Sequence, residues 1–139
     1  MNPNLLLVPL VLHALATILL YIPMNRARVR SVKQGKVRAS VYKLNKEEPA
    51  ESLKFSNAIR NQNETGILFY AACLTAFVSG AVSGLTIALA FGFAIIKLAH
   101  VVIHATTNQL RFRRPVFALA LLVLAIFWLV ILLHLFGIA

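Results

Sequence analysis

The sequence predicts an all-α integral membrane protein, a bundle of four transmembrane helices forming one domain over residues 1–139. Three observations carry this. The chain of 139 residues is 60% hydrophobic and only 13% charged, with a mean hydropathy of +0.81, more apolar surface than a soluble core of this size can hide. The apolar residues come in blocks of about 20, the length that crosses a hydrocarbon layer of roughly 30 Å as helix. Thirteen of the fourteen basic residues fall in two segments between blocks, and Lys97 is the remaining one.

The first span is expected at 5–24, with Pro9 near its start and Pro23 at its end. A cleaved signal peptide is the rival, but no positively charged region precedes the block and no small-x-small site follows it. The segment 25–60 is expected as a basic cytoplasmic loop holding Arg26, Arg28, Arg30, Lys33, Lys36, Arg38, Lys43, Lys46, Lys54 and Arg60. Leu53, Phe55, Ala58 and Ile59 suggest a helix re-forming from about Glu51.

The second span, 61–80, has only a dozen purely apolar residues before Ser79 and Gly80. A membrane-crossing helix ending there must begin near Asn61, which draws Glu64 to the headgroup level. Asn57, Arg60, Asn61, Glu64 and Leu68 then share one helical face. A tight uncharged turn leads to the third span, 84–104, where Lys97, His100, His104, Asn108 and Arg111 recur every three or four residues. Arg111, Arg113 and Arg114 follow, of which Arg111 continues that stripe. The fourth span, 115–136, starts at Pro115, which suits the first turn of a helix.

The positive-inside rule places both charged segments in the cytoplasm and both termini on the non-cytoplasmic side. A net charge of +10 beside hydrophobic spans points to anionic lipid headgroups rather than nucleic acid, for which no separate domain exists. Cys73 stands alone in an apolar run, so neither a disulfide nor a cysteine metal site is expected.

Two polar faces thus meet at one membrane boundary, and ionisable groups there are functional candidates by default. Glu64 is expected to face Arg111 or Lys97. The alternative is that such pairs only hold helices together. His100 and His104 have chelating spacing, but Glu64 is the only third ligand available, and no metal is expected. His13 and His134 read as interfacial or packing residues. No phosphate-binding loop, dinucleotide turn or Ser-His-Asp set is present.

Asn61-Gln62-x-Glu64 followed by Leu68-Phe69-Tyr70 resembles the helix 2 signature of the MAPEG family, the membrane-associated proteins in eicosanoid and glutathione metabolism. His100-x-x-x-His104 with Asn108 and Arg111-x-Arg113-x-Pro115-Val116-Phe117 resembles the helix 3–4 junction of bacterial members. The resemblance covers nearly the whole chain. It implies a homotrimer of four-helix bundles in a bacterial inner (cytoplasmic) membrane, binding glutathione between subunits on the cytoplasmic side. By position, it implies glutathione contacts at Asn57, Arg60, Asn61, Glu64, His104 and Asn108, with Arg111 as the catalytic arginine that favours the thiolate. Asn57 stands near where the family's enzymes carry an arginine, and Tyr70 is what remains of their tyrosine set. The activity so implied is glutathione transfer or peroxidation on lipophilic electrophiles. The other reading is a non-catalytic accessory subunit of a larger membrane complex, packed through small residues such as Ala14, Ala16, Ala118 and Ala120.

Overall fold

A computed structural model describes residues 2–44 and 47–138. Helix accounts for 83% of the chain, with no strand among the described residues. After a 3-10 turn at Pro3–Leu6 come α1 (Leu7–Leu19), α2 (Tyr21–Lys33), the short α3 (Val41–Leu44), α4 (Ala50–Ser79), α5 (Gly84–Ala105) and α6 (Leu110–Leu135).

The expected loop over 25–60 is in large part helical. The chain does not leave its helix at Met24; α2 carries it on to Lys33 after a slight break at Leu20. Two features make that break. Pro23 has no amide hydrogen for the carbonyl of Leu19, and Thr17 Oγ1 donates back to the His13 carbonyl at 2.9 Å, a bond that bends helices. Arginine and lysine are good helix formers, so charge alone does not end a helix. Lys46 lies outside the described residues.

The helix that re-forms beyond Pro49 is α4, which begins at Ala50 and runs for 30 residues, roughly 45 Å at helical rise. It ends at Gly80, whose φ of 77° is the left-handed cap that closes a helix. A capping box then opens α5: the Ser83 amide donates to Thr86 Oγ1 at 2.8 Å and the Thr86 amide to Ser83 Oγ at 3.2 Å.

Among the described residues three helical stretches are long and apolar enough to cross a membrane: Pro3–Lys33, Gly84–Ala105 and Leu110–Leu135. The polar run through Glu64 leaves α4 less apolar than these, yet α4 lies at the centre and packs on α1, α2, α5 and α6. Its inner face is built of small residues, Ala58, Gly66, Ala72, Cys73 and Ala76, which lets neighbouring backbones approach. Phe69 of α4, Phe93 of α5 and Phe127 of α6 fill the middle, the first two with ring centroids 4.4 Å apart. Outward, large aliphatic side chains stand bare, among them Ile18, Val78, Ile95 and Leu129. Apolar outside and partly polar inside is the arrangement a lipid solvent selects.

Pro115 does not open the last helix. Residues 110–114 are already helical, and Pro115 sits inside α6. Asn108 takes a positive φ of 51°, Gln109 is the N-cap, and the three arginines therefore ride on the first turns of a helix rather than on a turn between helices.

Candidate functional site

The polar groups of α4 and α5 divide into an inner set and an outer face. At the centre of the inner set is Lys97, fully buried. Its ammonium donates to Asn61 Oδ1 at 2.8 Å and to the Asn61 carbonyl at 3.3 Å, and lies 5.4 Å from the centroid of the Phe117 ring. Glu64, one turn along α4, contributes a favourable charge to Lys97 without a direct ion pair. Of the two partners expected for Glu64, Lys97 is the nearer in charge and Arg111 is not engaged.

Further along α5, His100 and His104 sit edge to face with centroids 5.6 Å apart. Arg113 meets His104 Nε2 at 3.1 Å and donates to Asn108 Oδ1 at 2.6 Å. Arg111 was expected to continue the α5 stripe; instead it is exposed, its guanidinium over the Phe112 ring at 5.5 Å. The reason is helical phase. The break at Asn108 resets the register, and two residues on α6 are about 200° apart, so Arg113 turns inward and Arg111 outward.

Of the two readings of His13, interfacial or packing, the structure supports packing. His13 is fully buried, with Nδ1 at 2.8 Å from the Tyr70 hydroxyl and its ring edge-on to Phe69. Gly66 makes the room: a β-carbon there would stand 3.1 Å from His13 Cε1. His13 also interacts with the Gln62 side chain, while Nδ1 of His100 and of His104 are buried without a hydrogen-bond partner among the described residues. Pro9, His13 and Thr17, all buried and spaced by four, were the sequence signal for this face.

Asn57, Arg60 and Glu64 lie on the outer side of α4, Asn57 half-buried and the other two exposed. Arg60 and Glu64, together with Asn63, Ser56, Arg28 and the aliphatic Ile59 and Ile67, line a groove of about 470 Å³ between α2 and α4, within the range of small-molecule sites. Arg28 is held in place there. It pairs with Glu48 at 2.8 Å, donates to Ser56 Oγ at 3.1 Å, and stacks 5.0 Å from the Tyr42 ring. Burial pushes the Glu48 carboxyl up, but hydrogen bonds from Arg28, Ser52 and Ser56 and the charge of Arg28 hold it below the ordinary value. The groove offers one cation fixed by its contacts, Arg28, a second in Arg60, the Glu64 carboxylate and the Asn63 amide around an apolar floor. No group of three metal-ligating side chains occurs among the described residues.

The family model for MAPEG matches residues 6–133. Comparison with curated proteins and with solved structures gives no match. That match takes in every helix from α1 to the last turn of α6, and with three helices apolar enough to span a bilayer it makes the chain an integral membrane protein. Polar groups gathered on α4 and α5 inside an apolar shell, and a family model spanning nearly the whole chain, lead to one conclusion: the protein belongs to the MAPEG family.

Proposed function

We propose that this protein is a glutathione-dependent transferase or peroxidase acting on lipophilic electrophiles, assembled as a homotrimer of four-span bundles. The observation that carries the reading is an outward polar face braced from behind. Arg60 and Glu64 open outward on α4, while Asn61 between them is fixed by Lys97. Glutathione presents carboxylates, an ammonium and a thiol. Arg60 supplies a cation for a carboxylate, Glu64 an anion for the ammonium, and Asn61, its oxygen engaged by Lys97, presents N–H donors.

Arg111 supplies the guanidinium beside sulfur that favours the thiolate, the true nucleophile. Its exposure at the edge of one bundle leaves it free to serve a site shared with a neighbouring copy. His104 and Asn108 hold the α5–α6 junction beside it through Arg113. The thiol gives its proton to water, sulfur attacks the electrophilic carbon, and the S–C bond forms as the leaving group departs. On this reading α4 is the fourth crossing, the basic segments face the cytoplasm of a bacterial inner membrane, and the apolar substrate arrives laterally from the bilayer.

The test is glutathione binding to detergent-purified protein, read as thiolate ultraviolet absorbance. The expected result is a thiolate signal that disappears in Arg111→Ala. Absence of binding at millimolar glutathione overturns the transferase reading, and a membrane protein co-purifying at fixed stoichiometry then identifies an accessory subunit.

A further inference from the structure

A second groove, of about 320 Å³, lies between α2 and the start of α4, and Arg26, Arg30 and Lys54 line it together with Ala27, Phe55 and Glu51. We propose that it is a binding site for the phosphate-bearing headgroup of an anionic phospholipid. Three arguments support this, none of which uses the glutathione reading.

The first is charge. Glu51 is the only acid of the lining, and its carboxylate is already engaged by Lys36 at 2.8 Å. Glu51 also lies within Coulombic reach of Arg30 and Lys54, but one carboxylate shared among Lys36, Arg30 and Lys54 leaves the lining, with Arg26, clearly cationic, and Arg26, Arg30 and Lys54 make no hydrogen bond among the described residues. Arginine forks match phosphate oxygens geometrically, and lysine adds a point charge.

The second is position along the helix. Leu15, Leu19, Ile22, Arg26 and Arg30 follow one another by three or four residues and are all exposed, so one continuous stripe changes from aliphatic to cationic. The helical stretch from Leu5 to Ile22 covers roughly 27 Å at helical rise, close to the thickness of a hydrocarbon layer. Tyr21, 48% exposed, stands at the end of that stretch, where aromatic residues mark the membrane–water interface. Arg26 and Arg30 then fall one to two turns beyond it, at the depth of lipid phosphates, with the aliphatic stripe below them to receive an acyl chain.

The third is the wall. Phe55 gives the groove an apolar side, and the Lys54 ammonium lies 5.0 Å from its ring. A phosphodiester with a glycerol backbone needs both characters in one cleft. A free inorganic anion needs only the charge.

The experiment compares binding of phosphatidylglycerol and phosphatidylcholine to the detergent-solubilised full chain by native mass spectrometry, with inorganic phosphate as a third probe. Expected is retention of phosphatidylglycerol over phosphatidylcholine, unchanged by millimolar inorganic phosphate. The triple variant Arg26→Gln, Arg30→Gln, Lys54→Gln should weaken phosphatidylglycerol binding on the order of a hundredfold, from about fivefold for each basic group near a lipid surface. The control Arg38→Gln, Lys43→Gln, with charges outside the groove, should change it by less than about threefold. Ala27→Glu, which keeps every basic group and adds a carboxylate to the lining, should reproduce the loss if the triple variant fails to fold. Equal losses in control and triple variants, or no effect of Ala27→Glu, overturn the proposal. Displacement of the lipid by inorganic phosphate shows a free-anion site and overturns it equally.

Discussion

The Lys97–Asn61 contact invites a double-mutant cycle, because its two halves should behave differently. Lys97 is fully buried and has no carboxylate within ion-pair distance among the described residues. Its ammonium is held by one short bond to the Asn61 side chain, 2.8 Å, and one longer bond to the Asn61 carbonyl, 3.3 Å. Lys97→Met removes the charge and keeps the length and flexibility of the side chain. The hydrogen bonds are lost, but so is the cost of keeping an ion out of water, which amounts to several kcal/mol. The expected net change is within about 1 kcal/mol, of either sign. Asn61→Leu leaves the ammonium in place and takes away its better acceptor. A hydrogen bond to a charged group is worth about 1.5–3 kcal/mol, and the buried donor is left exposed to that loss. The single variant Asn61→Leu should therefore lose about 2–3 kcal/mol of stability. The double variant should recover most of it, giving a coupling energy of about 1.5–3 kcal/mol. The assay is reversible unfolding in mixed micelles for all four proteins of the cycle. Additive losses, with no recovery in the double variant, would refute the reasoning that Lys97 depends on Asn61.

Three further outcomes follow from the geometry. Gly66→Ala should cost about 1–3 kcal/mol by driving a methyl group into the His13 ring, and Tyr70→Phe about 1 kcal/mol by removing the hydroxyl that His13 meets; unfolding of each variant reads both. Arg113→Ala should lower stability by about 1–2 kcal/mol through loss of its contacts to Asn108 and His104, whereas Arg111→Ala should leave unfolding unchanged, and equal effects would contradict the inward and outward assignment. The third outcome concerns pH. The Glu48 carboxyl is held below its ordinary value of 4.5 in the folded chain, so its contribution is complete above that value and is lost as the pH falls through the depressed folded value. Glu48→Gln should flatten this acid limb of the stability curve while leaving the neutral-pH side parallel to the unmodified protein.

Much of the architecture could be read from the chain, and the misreadings share one cause. Blocks of apolar residues located α1, α5 and α6, and the crowding of polar residues around Glu64 identified α4 as the helix with a special face. In a sequence a run of charge looks like the end of a helix, but it does not end one here. Arg26, Arg28 and Arg30 extend a helix as readily as they would border one, so the part of α2 beyond Met24 reads in the sequence as loop. Periodicity was then extended from His100 and His104 through Asn108 to Arg111, although a single residue with positive φ between them destroys the phase. That residue is Asn108, a type which tolerates the left-handed region, and only the backbone reveals that it adopts it. His13 reads from the sequence as an interfacial or packing residue, and which neighbours it packs against is not legible there. Its partners, Gly66 and Tyr70, are more than fifty positions away, and no local pattern encodes contact across that distance.

The proline inside α6 has a mechanical consequence. Pro115 has no amide hydrogen to give the Arg111 carbonyl, so the ladder of α6 lacks one rung five residues from its start. A helix bends most cheaply where a rung is missing. The first turn, with its three guanidinium groups, is thus a short lever on a compliant joint, and the contacts of Arg113 to His104 and Asn108 are the tether that sets its angle. Stiffness at this end of the bundle comes from side chains rather than from backbone. On this account Arg113→Ala should loosen the first turns of α6, read as faster amide hydrogen exchange at residues 110–114 than in the unmodified protein.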